Sequence, residues 1–259
     1  MSQPTRAIQQ ACYDRYFRFN NMRTLSTAQP SALRLVRRPG VSAFVDGTRR
    51  YDNQVLIHQA NANGSIAEVI ALYAETHSPE ISIEPDAMSL SLSHSLSAHG
   101  YLPSYALEFL ALETAHYQVP ARLAALNVEM WDNSHADAFL QLLKTSGLAC
   151  DDAIWAIKRR YYCTETFRCF VAFIDDVPRA WATSFIEGDC AIFANAFTQE
   201  PSRRHGCQSA LLHARINDAK ALGVAHLFTD VMPHSVSSKN CRAAGFSTLT
   251  HRTVWEKYV

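Results

Sequence analysis

The chain lacks net charge: 24 Lys and Arg balance 24 Asp and Glu over 259 residues. It therefore has no overall field to gather DNA, RNA or anionic lipid, and neither nucleic acid nor membrane is expected as a partner. Apolar runs fall short of the ~18 residues of a membrane span, and MSQPTRAIQQACYDRYF has no apolar core of a secretion signal. A soluble, cytoplasmic protein is the expectation. Seven cysteines include no CxxC pair, are odd in number, and sit in a chain too large to need disulfide staples, so they read as reduced thiols. The eleven histidines include no HxH or HExxH arrangement, and the spacing offers no metal site.

What is present is a clear order of elements in the second half. Asp151-Asp152 opens a helix through AIWAIKRRYY, and FRCFVAFI, RAWATSFI and CAIFANAFT follow as strands. The turns Asp175-Asp176 and Glu187-Gly188-Asp189 join them into an antiparallel meander. After SRRHG comes an amphipathic helix with Leu212, Ile216 and Ala219 at i, i+4 and i+7 and Gly223 at its C′ position. AHLFTDV is a strand, SVSSKNCRAA a short helix, and STLTHRTVWEKYV a last strand beyond Gly245-Phe246. Strand, helix and strand in that order require a crossover, so CAIFANAFT and AHLFTDV should lie parallel.

The first half reads as a shortened repeat of this grammar, with chance similarity of two αβ units as the alternative. YDNQVLIHQA is read as a strand, SIAEVIALYAETH as a helix, ISIE as a strand, AMSLSLSHSLSAHGY as a helix and YALEFLALE as a strand. Two domains are expected, 1–119 and 120–259.

SRRHGCQSALL meets the needs of a phosphate cradle. Gly206 supplies a permissive backbone, and the amides of Arg204, His205, Gly206, Cys207, Gln208 and Ser209 stand at a helix start. Arg203 and Arg204 can add side-chain contacts to phosphate oxygens. The bland alternative is a glycine in a polar turn before an ordinary helix.

With Asn240 and Gly245-Phe246, this stretch resembles the Gcn5-related N-acetyltransferase (GNAT) superfamily in order, spacing and residue type. The match runs from about Arg122 to the C-terminus and is tightest from Ala194 to Phe246. The resemblance implies an α/β (α+β) tandem GNAT-like fold: a mixed, mostly antiparallel sheet with a splayed parallel strand pair and flanking helices. The first half resembles a degenerate copy, because its corresponding loop QANANGS has Gly64 but no arginine.

The resemblance further implies acetyl-CoA as co-substrate, with no metal, and direct transfer to an acceptor in a ternary complex. Pantetheine is expected along Ala196, Phe197 and Thr198, the pyrophosphate on Arg203 to Ser209, and Ser237 and Asn240 beside the arm. Ser235 or Ser237 could instead be only the helix N-cap. Two positions depart from the family pattern. Gln208 replaces a Gly or Ala and is tolerated if its side chain turns outward. Cys241 stands where many members carry the Tyr that protonates the departing thiolate, and is either that acid or an inert buried thiol. Asp230, at a strand end, is the first-ranked base, with capping as its alternative. Trp155, Tyr161, Tyr162 and Trp181 line an acceptor pocket or merely the core.

The expected activity is N-acetyl transfer to a small amine or amino-acid-like metabolite by a monomer or homodimer. The alternative is a catalytically silent tandem GNAT-like protein that binds CoA or a partner. Transfer from aminoacyl-tRNA is disfavoured by the zero net charge.

Overall fold

The computed structural model describes residues 3–49, 52–74, 77–120 and 126–258. In chain order the elements are α1 (Gln3–Arg23), β1 (Arg34–Arg38), β2 (Val41–Val45), β3 (Gln54–Ile57), α2 (Ile66–Ile70), β4 (Glu80–Ile83), α3 (Leu90–Ala98) and β5 (Tyr101–Glu113). They continue with β6 (Val128–Trp131), α4 (Ala136–Lys144), α5 (Asp152–Lys158), β7 (Phe167–Ile174), β8 (Val177–Glu187), β9 (Cys190–Thr198), α6 (Cys207–Ala221), β10 (His226–Val231), α7 (Val236–Ala243) and β11 (Ser247–Lys257). No helix among the described residues is long and apolar enough to cross a membrane.

These elements form two compact units. The larger is Met1–Ala28 with Leu110–Leu249, the smaller Gln29–Phe109 with Thr250–Val259. Both units cross the expected 119/120 boundary, since each takes a closing strand from the other half of the sequence. The smaller unit pairs Thr253, Val254 and Trp255 of β11 with Ile83, Ser82 and Ile81 of β4. The larger unit takes the end of β5 beside β10 and covers its sheet with α1.

In the larger unit the strand order is β5-β10-β9-β8-β7-β6, antiparallel from β9 to β6 and parallel between β9 and β10. The period-2 pattern of FRCFVAFI explains how the sheet is covered on both faces. Phe167, Cys169 and Val171 pack with Trp181 and Phe185 in a core that α1, α4 and α5 close. Phe170, Ala172, Ala180 and Ala182 face Cys207 and Leu211 of α6, and the three alanines let that helix lie close. Arg168 clamps α6 to β7 by a two-pronged ion pair with Asp218, Nε–Oδ2 2.6 Å and Nη2–Oδ1 2.7 Å. At the far end Gly223 has φ 75° and Val224 N–H donates to the Ala219 carbonyl at 3.0 Å, the C′ glycine expected from the sequence.

In the smaller unit β1, β2 and β3 are antiparallel, and β3 runs parallel to β4. Val55, Ile57, Ile81 and Ile83 fill its core with Leu92 and Leu96 of α3. The helix expected over SIAEVIALYAETH is much shorter, Ile66–Ile70, and a 3-10 turn over Ala60–Ser65 precedes it. Beyond it the Tyr73 hydroxyl reaches the strand carbonyls of Phe44 (3.0 Å) and Gln54 (3.2 Å), and Glu75-Thr76 of the expected helix lie outside the described residues. Strands β1 and β2 stand ahead of the first strand that the sequence pattern predicts.

Candidate functional site

The parallel ladder between β9 and β10 consists of Cys190–His226, Ala191–Leu227 and Ile192–Phe228, and then stops. Both strands continue, β9 to Thr198 and β10 to Val231. The cause lies on the other side of β9. There Ala182 pairs with Ala196 and Ser184 with Phe193, so Ala194 and Asn195 together face Thr183. Such a bulge bends the strand that carries it and releases its backbone from pairing. The Thr229 hydroxyl, donating to the Phe193 carbonyl at 2.9 Å, closes the bottom of the gap.

Two adjoining cavities open here, of about 350 Å³ and about 580 Å³, with Ala196, Gln208 and Asn240 common to both walls. Phe193, Asn195, Thr229 and Asp230 line the first. Phe197, Thr198, Arg203, Arg204 and Gly206 line the second.

The loop ahead of α6 is built by two left-handed residues, Arg204 (φ 67°) and Gly206 (φ 84°). The first backbone bond into the helix runs from Ala210 N–H to the Gly206 carbonyl at 3.0 Å. Among the described residues, no other residue accepts from the N–H groups before it, Arg204 through Ser209. Unpaired amides at the positive end of a 15-residue helix make an anion site. Side chains contribute unequally. The Cys207 thiol is buried, so that residue offers only its amide, and His205 Nδ1 lies 3.0 Å from the Arg203 carbonyl. Arg203 Nη1 and Glu200 Oε1 are 3.8 Å apart in an exposed pair.

Helix α7 faces this loop. Ser235 is its N-cap, accepting from Ser238 N–H at 3.1 Å, which leaves the Ser237 hydroxyl for the gap. The Gln208 side chain turns toward α7. Its Nε2 donates to Ser237 Oγ at 2.6 Å and its Oε1 accepts from Asn240 Nδ2 at 2.9 Å, because two polar groups of α7 match both ends of the amide. The clasp joins three of the expected site residues into one wall.

No family model matches the sequence, and no curated protein does. Solved structures match its fold. A GCN5-related N-acetyltransferase from Kribbella flavida superposes with a TM-score of 0.66 at 12% identity, over 96% of this chain and 95% of its own. Another from Sphaerobacter thermophilus gives 0.61 at 14% identity, over 83% and 76%. A tandem GNAT protein from the clavulanic acid biosynthesis pathway gives 0.52 at 15% identity, over 96% and 95%. The chain has the GNAT fold.

Within this GNAT fold, Asp230 and Cys241 both line the cavity of about 350 Å³. Asp230 is exposed at the end of β10 and accepts a hydrogen bond from the Tyr13 hydroxyl at 2.9 Å. Cys241 is 6% exposed and packs with Leu212, Ala244 and Phe246. Trp155, Tyr162 and Trp181 are core residues of the α1-side cluster, with Tyr161 packed against it, and none lines either cavity. Sequence reasoning missed Tyr13 and Tyr16 of α1, the bulge at Ala194-Asn195, and Arg215. The aromatic spacing in YDRYFRF signals a helix face, but nothing in it says which sheet that face meets. Among the described residues no group of His, Cys, Asp and Glu gathers as a metal site.

Proposed function

We propose that this chain is an acetyl-CoA-dependent N-acyltransferase for a small amine or amino-acid-like acceptor, working by direct transfer in a ternary complex. The observation that carries this reading is the run of unpaired amides from Arg204 to Ser209, opening on a cavity that continues into the strand gap. A pyrophosphate fits those amides, with Arg203 and Arg204 adding charge. Ala196 to Thr198 offers strand backbone to the pantetheine amides, and Ser237 and Asn240 lie alongside.

In the reaction, the amine nitrogen attacks the thioester carbonyl, a C–N bond forms, and the C–S bond breaks. Backbone N–H groups freed by the bulge can stabilise the developing oxyanion. Asp230 takes the proton from the attacking nitrogen, directly or through water, with Tyr13 holding its carboxylate in place. Cys241 returns a proton to the departing thiolate. The larger unit, Met1–Ala28 with Leu110–Leu249, is read as the acetyltransferase domain and the smaller, Gln29–Phe109 with Thr250–Val259, as a degenerate copy. The burial of Cys241 among apolar side chains favours a second reading, in which the chain binds CoA without turnover.

Incubation with acetyl-CoA and a panel of amines, read by free-thiol release, separates the two. Acceptor-dependent release supports transfer, affinity without release supports the silent binder, and absence of CoA binding overturns both.

A further inference from the structure

Arg215 is a buried cation with no carboxylate paired to it among the described residues. It follows Gln208 and Leu212 at i+7 and i+3 on one face of α6, and all three line the cavity at the strand gap. The residue is 5% exposed, and its guanidinium stacks over the Phe193 ring at 4.6 Å. Nε donates to the Leu211 carbonyl at 3.3 Å and Nη1 to the Thr183 carbonyl at 3.2 Å. Both acceptors are neutral; among the described residues Nη2 has no hydrogen-bond partner and no carboxylate pairs with the group, the Cys241 thiol being the one titratable side chain that acts on it. Burial lowers its pKa to about 10, which still leaves it cationic at neutral pH.

A second polar group nearby is also unmet. Ser184 pairs with Phe193 across β8 and β9, which puts both side chains on the α6 face, and the Ser184 hydroxyl is buried without a hydrogen-bond partner. An unpaired buried charge is costly, and a site that retains one is suited to an incoming anion. Phe193, under the guanidinium, immediately precedes the bulge that frees β9 from β10.

We propose that Arg215 receives a carboxylate at the far end of the acyl group, so that the same thioester site takes, besides acetyl-CoA, a dicarboxylic acyl-CoA of the malonyl or succinyl type and holds it more tightly. This rests on reading the gap as a CoA-thioester site. The carboxylate is unchanged in the reaction: the acyl C–S bond breaks, the C–N bond to the amine forms, and the product is an N-acyl amine that keeps a free carboxylate.

Calorimetry on the full chain with CoA, acetyl-, propionyl-, malonyl- and succinyl-CoA tests it. The wild type should bind malonyl- or succinyl-CoA at least about tenfold tighter than acetyl- or propionyl-CoA, as expected for one charge-assisted contact in a buried site. Arg215→Met should abolish that preference, and Arg215→Lys, which keeps the charge but not the fork, should retain part of it. If Arg215→Met does not fold, the wild-type ranking decides alone. Binding of CoA and acetyl-CoA with no advantage for the dicarboxylic thioesters overturns this proposal and leaves the transferase reading standing. Failure of every thioester and of CoA removes both. Should the cation instead favour carboxylated acceptors over plain amines, with no donor preference, it belongs to the acceptor and the proposal fails.

Discussion

Two parallel strand pairs in this chain have opposite fates. In the smaller unit β3 and β4 stay in register over their whole length, from Gln54–Glu80 to Ile57–Ile83. Their inward side chains Val55, Ile57, Ile81 and Ile83 are at most 1% exposed, so the seam is filled. In the larger unit β9 and β10 separate after three residue pairs, and a cavity occupies the space. The loops that follow differ in the same sense. SRRHG has left-handed backbone at Arg204 and Gly206 and unpaired amides, whereas Ala60–Ser65 is a 3-10 turn in which Gly64 is not left-handed. A bulge and two unusual φ values thus separate a strand pair that can receive a ligand from one that is only core. This is the physical ground for expecting CoA at the larger unit alone.

The largest effect should come from cutting the chain where its sequence repeats rather than where its units close. A chain beginning at Pro120 lacks α1 and the end of β5, hence the aromatic cover of Tyr16 and Phe19 on Phe185 and one neighbour of β10. It should show no cooperative thermal transition and no CoA binding. Cooperative melting with CoA affinity intact would restore 120–259 as a self-sufficient domain.

Next is the loop. Gly206→Val puts a β-branched side chain at φ 84°, where strain of about 1–3 kcal/mol is expected, and projects it into the cradle. Because Gly206 lies ahead of α6, outside the packed core, the fold should survive, and CoA affinity should fall at least about a hundredfold in calorimetry. Unchanged affinity in a folded variant would make the loop of the larger unit as inert as that of the smaller one.

These two cases also mark what the sequence revealed. The meander, the parallel pair, Gly223 and a cap at Ser235 or Ser237 depend on neighbours in the chain, and local chemistry makes them legible. The exchange of closing strands is not local: nothing in β5 or β11 says which sheet edge it joins. The same holds for α1. Arg15 Nη2 donates to Cys190 Sγ at 2.8 Å, and Tyr13 reaches Asp230, across separations of 175 and 217 residues. The bulge left no glycine or proline in FANAF to announce it.

A smaller effect is expected at Cys241, which tests whether the open gap is also a working one. If its thiol protonates the leaving group, Cys241→Ala should lower turnover about tenfold or more while CoA affinity stays nearly constant. Cys241→Ser, which keeps a donor of similar size, should recover part of the loss. Equal turnover in the alanine variant would make Cys241 a packing residue between α7 and Leu212.

The smallest effect should be at the arginines, and it separates backbone from charge. Arg203 and Arg204 are exposed, and Arg203 already has Glu200 3.8 Å away, so each contact to a phosphate would be screened and partly offset. Arg203→Ala and Arg204→Ala should each weaken CoA binding only a few-fold, about 1 kcal/mol, and flatten its dependence on salt. Arg204 adds a local term, since its φ of 67° is unfavourable for alanine and asparagine tolerates it better. Arg204→Asn should therefore bind CoA slightly better than Arg204→Ala at the same loss of charge. Calorimetry between low and moderate salt reads both quantities. If either alanine variant loses as much as Gly206→Val, charge rather than the amide cradle holds the phosphates, and the smaller unit's lack of an arginine, rather than its backbone, becomes the difference that matters.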